Sequence, residues 1–262
     1  MKISSLVGLL AALGVIVISI ITSSKSSAIF LNPHGILIVL GGTIAAGMMS
    51  FPLRFYVRVA RVFVDKFLGS YGTRYDRVIQ EIVDLARGLR EDPDYLKKQV
   101  QSIKTPFLKD AIQLLVQGGI PESALEEILI KRAVTHSKRF DHDVSVFKTI
   151  AKFPPAFGLM GTTLGMIALL QQLGENDSQK LMGPAMAIGL VATFYGLVLA
   201  NLVFIPIAEN LAMINREDDT VRMIIIDGFR LIHRREHPKI VEEHLKSYLL
   251  PEERDQIKRI SP

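Results

Sequence analysis

Apolar positions fall into two patterns along this chain. In four stretches, 3–21, 29–49, 153–170 and 181–208, they follow one another almost without interruption, and the last two stretches contain no Asp, Glu, Lys or Arg. Runs of this kind reach the ~20 residues that a helix needs to cross a bilayer. Elsewhere the apolar positions recur at helical spacing among charged residues, as on amphipathic helices. The third and fourth runs also carry Gly158, Gly161, Gly165, Gly183, Gly189 and Gly196, with hydroxyls at Thr162, Thr163 and Thr193. A simple anchor does not need them. Small residues let helix backbones approach closely, so the pattern predicts a packed membrane hairpin.

The first run follows Lys2 directly, which also fits a secretory signal peptide. Its apolar core is too long for one and no small-residue cleavage pattern follows, so a retained membrane helix is expected. In the second run Asn32-Pro33 marks a helix start, since proline is tolerated in a first turn. Gly41, Gly42 and Gly47 favour close packing there, and His34 reads as an interfacial polar residue.

Between the runs the signals are those of amphipathic helices. Arg54, Arg58 and Arg61 interleave with Val59, Val62 and Phe63, which suits a helix lying on inner headgroups until Gly69 and Gly72 break it. Val78, Ile79, Ile82, Val83, Leu85, Ala86 and Leu89 form one apolar face. A further helix is opened by Pro106 and closed by Gly118-Gly119. From Pro121 a longer helix is expected to run up to the Pro154-Pro155 break. His136, His142, Asp141 and Asp143 match no metal-ligand spacing and read as a solvated helix face. Residues 211–237 alternate charged and apolar, with 216–219 starting a solvated face, and the tail reads as a short helix with a frayed end. The predicted architecture is an all-α polytopic membrane protein with four transmembrane helices and a helical cytoplasmic domain. Its divisions are 1–50 (helices one and two), 51–150 (cytoplasmic domain), 151–210 (helices three and four) and 211–262 (cytoplasmic tail).

Charge fixes the expected orientation. All of the 31 Lys and Arg residues except Lys25 and Lys180 lie in the N-terminus, the central segment or the tail. The positive-inside rule puts those parts, and both termini, in the cytoplasm. Topology thus accounts for the net charge of +5 and the isoelectric point near 9.4 without a nucleic-acid partner. There is no cysteine, which excludes disulfides, thiol catalysis and cysteine metal sites.

The chemistry of the apolar runs is defined by what they lack. A cation in a helix bundle without a carboxylate has no compensating charge, so a second polypeptide must supply it. Thr162, Thr163 and Thr193 offer oxygens to replace part of a hydration shell. Equally, each hydroxyl can bond its own helix carbonyl four residues back. Pro155 and Pro206 lie at or inside the membrane runs, where an interior proline kinks its helix. Such a kink serves as static shape or as a moving hinge.

PPAFGLMGTTLG at 154–165, followed by GPAMAIGLVATFYGLVLANLVFIPIA at 183–208, closely resembles the MotA/PomA family, the larger stator subunit of the bacterial flagellar motor. PFLKDAIQLLVQGG at 106–119 is similar to the PFL…LLVDG block of that family, and the resemblance extends over nearly the whole chain. It implies an ion-driven torque generator in the bacterial inner membrane, non-enzymatic and without a cofactor, that drives motility. A homo-oligomeric ring, pentameric in the family, would surround a dimer of a MotB/PomB-type partner, whose single membrane helix carries the ion-binding aspartate. The two functional prolines of the family map onto Pro155 and Pro206. The ion-path threonines of its sodium-type members map onto Thr162 and Thr193, which favours Na⁺ over H⁺. The rotor protein FliG would be engaged through Arg87, in the context DLARGLRED, with Arg90 and Glu91 as further candidates. The position of the family's acidic rotor residue holds Lys97, so Glu91 or Asp94 substitutes or the rotor surface is rearranged. The alternative is a TolQ/ExbB-like energiser of an outer-membrane or non-flagellar machine, but such subunits usually have three membrane helices. A small-molecule transporter or membrane scaffold is the third possibility, and it fits less well, because midplane substrate sites carry polar or charged residues in broken helices.

Overall fold

The computed structural model describes residues 3–23, 27–52, 75–172, 178–251 and 254. The expected headgroup helix with Arg54, Arg58 and Arg61, and its glycine breaks, lies outside them. Every regular element among the described residues is helical: α1 (Ile3–Ser23), α2 (Pro33–Ser50), α3 (Tyr75–Glu91), α4 (Tyr95–Gln99), α5 (Pro106–Gln117), α6 (Glu122–Ile150), α7 (Phe153–Gln172), α8 (Ser178–Val198), α9 (Ile205–His233) and α10 (Pro238–Lys246). The chain divides into two compact units. The first comprises Met1–Gly72 and His142–Ala212, the second Thr73–Asp141 and Met213–Pro262.

Among the described residues, three helical stretches are able, by length and composition, to cross a membrane: Pro33–Ser50, Glu122–Gln171 and Met186–His233. The first apolar run is helical too, but its apolar stretch is shorter, Leu10–Thr22. Val7, Leu10, Leu13, Val15, Val17, Ile18 and Ile21 are exposed on it, Val15 and Ile21 by 66% and 65%, so lipid or another chain must cover them.

In the first unit α7 and α8 form the predicted hairpin, packed at glycine. A methyl built on Gly196 would lie 2.4 Å from the carbonyl oxygen of Pro154, and one on Gly161 would lie 2.5 Å from the Ala192 Cβ. The second helix joins through Gly42, where an added methyl would overlap the ring of Phe157. Asn32 starts α2 as expected: its side chain accepts from the Gly35 amide at 3.1 Å, with Pro33 in the first turn. The long helix from Glu122 ends at Ile150, and Ala151 and Lys152 form a turn before α7 begins at Phe153. Pro154 and Pro155 then occupy the first turn of α7, where their missing amides cost nothing.

Among the described residues, two helical segments are wound wider than an α-helix, Leu37–Gly41 within α2 and Leu199–Phe204 between α8 and α9. The second ends just before Pro206. A proline ring clashes with the carbonyl four residues back, here that of Leu202, and a widened turn relieves this without ending the helix.

The second unit is built on the apolar face foreseen at 78–89. Ile79, Ile82, Leu108, Ile112, Leu129, Ile224, Phe229, Val241 and Leu245 are at most 1% exposed and join α3, α5, α6, α9 and α10 in one core. Gly118 and Gly119 adopt φ of 68° and 79°, the left-handed conformation that ends α5 as its sequence predicts. Polar pairs line the seam of α6 with α9: Glu122 with Arg234 at 3.1 Å, Ser137 with Asp219 at 2.8 Å, and Asp141 with Asn215 at 2.9 Å. The acids at 218 and 219 are therefore engaged, where a purely solvated face was expected. Asp218 accepts from Arg222 at 2.7 Å and faces His136 at 3.3 Å.

Candidate functional site

The hairpin brings Thr162 and Thr193 together. Each lies four residues after a glycine, in the segments GLMGT at 158–162 and GLVAT at 189–193. The two helices cross with these segments face to face and related reciprocally. A methyl on Gly158 would meet the Thr193 Cα at 2.9 Å, and a methyl on Gly189 would meet the Thr162 Cα at the same distance. Only glycine permits this approach, and the approach aligns four oxygens.

The Thr162 hydroxyl lies 3.0 Å from the Gly189 carbonyl oxygen and 3.3 Å from that of Gly158. The Thr193 hydroxyl lies 3.1 Å from the Gly158 oxygen and 3.3 Å from that of Gly189. The two hydroxyls also touch each other in a short hydrogen bond. Two hydroxyl protons thus serve four oxygens, leaving a surplus of lone pairs in a half-buried cluster. The residues alone left open whether each threonine bonds backward along its helix or faces a shared site, and the geometry does both at once. Thr163 is different: its exposed hydroxyl donates to the Met160 carbonyl at 2.7 Å. Hard cations take oxygen ligands of this type, and carbonyl or hydroxyl oxygens can replace part of a hydration shell.

Sequence reasoning singled out the threonines and missed the glycine carbonyls and the tyrosine that supports them. The repeated G-x-x-x-T spacing was the available signal for the former. Tyr195, two residues after Thr193, donates to the Phe30 carbonyl and accepts from the Asn32 amide at 3.3 Å, tying α8 to the start of α2. Phe30 and Phe194 add an edge-on ring contact with centroids 5.9 Å apart. Pro155, near the start of α7, is 3.1 Å from where a Gly196 methyl would lie, so it belongs to the same tight crossing. Pro206 lies outside it, beyond the widened turn and exposed.

The rotor-contact candidates lie in the second unit. Arg87, Arg90 and Glu91 are exposed on one face of α3. Arg87 makes a long contact of 3.5 Å with Asp84, both largely exposed, a pair worth ~0–1 kcal/mol. Gly88 between these residues is covered by the Tyr95 ring. Lys97 is bound to Asp94 at 2.8 Å, a contact that pulls its ammonium above the usual lysine range. Of the two acids considered as substitutes, Asp94 is thus engaged, and Glu91 has no ion-pair partner among the described residues.

The tail is tied to this unit by Tyr248, whose hydroxyl donates to Asp227, itself 3.2 Å from Arg230. Burial, and then the bond to Asp227, push the Tyr248 phenol up to about 12. A raised phenol stabilises the folded state in its protonated form, fully below the ordinary tyrosine value of ~10 and no longer once pH passes the folded one. The chain has six tyrosines and no tryptophan, so tyrosinate absorbance can be read without interference. Tyr248→Phe is expected to remove the component that titrates near pH 12. A component there of undiminished amplitude would count against this origin.

The family model for the MotA/TolQ/ExbB proton channel family matches residues 99–253. The chain belongs to that family. It is 32% identical to motility protein A of Aquifex aeolicus over 97% of this chain and 100% of that one. It is 29% identical to the chemotaxis protein PomA of Vibrio alginolyticus, covering 95% and 96% of the two chains. The fold matches a chain of the flagellar MotAB stator complex from Bacillus subtilis with a TM-score of 0.85, at 22% identity, over 100% of this chain and 99% of that one. The resemblance seen in the residues at 106–119 and 154–208 thus holds at the level of the family and the fold.

Proposed function

We propose that the chain is the ion-driven stator subunit of a bacterial flagellar motor, which joins a MotB/PomB-type partner to form a cation path and exerts torque on the rotor protein FliG. The observation that carries this is the four-oxygen cluster at Thr162 and Thr193, set in two helices without an acidic residue. The cluster offers ligands and no countercharge, which calls for a carboxylate on a neighbouring polypeptide. Membership of the MotA/TolQ/ExbB family, and relatives named for motility and chemotaxis, support the same reading.

The subunit is non-enzymatic. It lies in the inner membrane with four spans and both termini in the cytoplasm, in a ring of five copies around the partner. Na⁺ is the favoured ion, since two hydroxyls and two carbonyls are ligands that a metal cation uses and a proton does not require. Pro155 and Pro206 are the positions at which α7 and the α8–α9 junction adjust to ion loading. Arg87, with Arg90 and Glu91, faces the rotor.

A deletion strain that keeps its flagella and cannot swim, restored by the gene, is the expected result; normal swimming would refute the motor role and leave a TolQ/ExbB-like energiser. In the restored strain, swimming speed should follow external sodium and survive a protonophore. Speed indifferent to sodium would reassign the ion to H⁺.

A further inference from the structure

The rotor-facing residues on α3 do not stand on an open surface. Arg87, Arg90 and Glu91 form one side of a cleft of about 460 Å³, and His237, Lys239 and Glu242 from the start of α10 form the other. Val83 and Pro238 supply its apolar lining. We propose that α10 is the second wall of the rotor-contact site, and that the cleft seats a rotor helix presenting an acidic side chain to Arg90 and Lys239 and a basic one to Glu91. This rests on the stator reading and extends it to α10, to which the sequence assigns no rotor role.

Three observations support it. The first is charge. The side chains of Arg90, Glu91 and Lys239 have no ion pair or hydrogen bond among the described residues, whereas Arg87 leans on Asp84 and Glu242 is taken by Lys246. The cleft therefore offers two free cations and one free anion on opposite walls, a pattern that specifies the orientation of a mixed-charge helix.

The second is rigidity. Val241 and Leu245 of α10 are fully buried in the core that also holds Ile79 and Ile82 of α3, and the two helices pack directly. Pro238 presets the first turn of α10, and the His237 imidazole accepts from the Lys239 amide at 3.2 Å. The Lys239 backbone is thus held at a fixed place relative to α3.

The third is energetics. Exposed charges at the rim of an interface govern encounter and orientation more than residence. A contact that must form and break as the rotor turns is served by such pairs.

The test uses the full chain co-expressed with its partner in a strain lacking the native subunit. It reads torque on tethered cells, membrane level, and ion uptake by the complex. Lys239→Glu should lower torque by about threefold to tenfold with membrane level and ion uptake unchanged. Lys239→Gln should have a smaller effect in the same direction, which covers the case in which the reversal disturbs α10. Reversing an acidic residue on the rotor helix should restore torque to Lys239→Glu and not to the wild type. If Lys239→Glu and Lys239→Gln both turn the motor at wild-type torque while Arg87→Glu does not, α10 is not a rotor wall and the stator reading stands. If Arg87→Glu also turns it normally, the rotor face has been misplaced and this inference falls with it.

Discussion

Gly196→Ala is expected to break the α7–α8 hairpin apart. The added methyl would lie 2.4 Å from the Pro154 carbonyl oxygen and 3.1 Å from the Pro155 Cα. Both are backbone atoms at the start of a helix, so no side-chain rotation relieves the overlap and the helices must separate. Overpacking of this kind costs ~1–3 kcal/mol or more. Membrane helices associate through close packing, with no hydrophobic drive to offset its loss. The midpoint of thermal unfolding of the purified complex in detergent should fall by several degrees, with loss of swimming. Gly183→Ala is the control, because its methyl would meet nothing within 4 Å. Equal midpoints for the two variants would mean that close approach at Gly196 does not limit stability.

The second large effect is expected from Thr162→Val combined with Thr193→Val. Valine keeps the branched shape and removes both hydroxyl oxygens, leaving the two glycine carbonyls alone. A lost hydrogen-bonding or ligating oxygen costs ~1–1.5 kcal/mol, and ~1.4 kcal/mol is a factor of ten. Ion uptake by the complex should therefore fall by about two orders of magnitude, and rotation should stop, with the subunit still in the membrane. Thr163→Val should stay near wild type, since that hydroxyl is exposed and bonds only the Met160 carbonyl. Ion uptake that survives the double replacement would exclude the oxygen cluster from the path.

What the sequence made legible was decided by period and by special residues. The helix at 78–89 could be read from its helical spacing and that at 106–117 from its Pro and Gly punctuation, and those segments fold as α3 and α5. The glycines at 158, 189 and 196 signalled close packing, but not which atoms would meet. That requires the crossing point of two helices, which one-dimensional spacing does not contain. The pairing of Thr162 with Thr193 follows from this crossing, and so does the role of the Gly158 and Gly189 carbonyls, since backbone oxygens have no signature in a sequence. Asp218 and Asp219 looked solvated because their partners, Arg222, His136 and Ser137, lie four or about eighty residues away. The cleft formed with α10 escaped notice for the same reason: Arg90 and Lys239 become neighbours only through the buried contacts of Val241 and Leu245.

The polar pairs along the seam of α6 and α9 have a consequence for how this gene can vary. As the α6 partners advance from Glu122 through Ser137 to Asp141, their α9 partners retreat from Arg234 through Asp219 to Asn215. One inserted or deleted codon in either helix would move every later pair out of step and turn apolar positions outward. Codon substitutions can accumulate there, but changes in length must fall in the turns, where they shift no pairing.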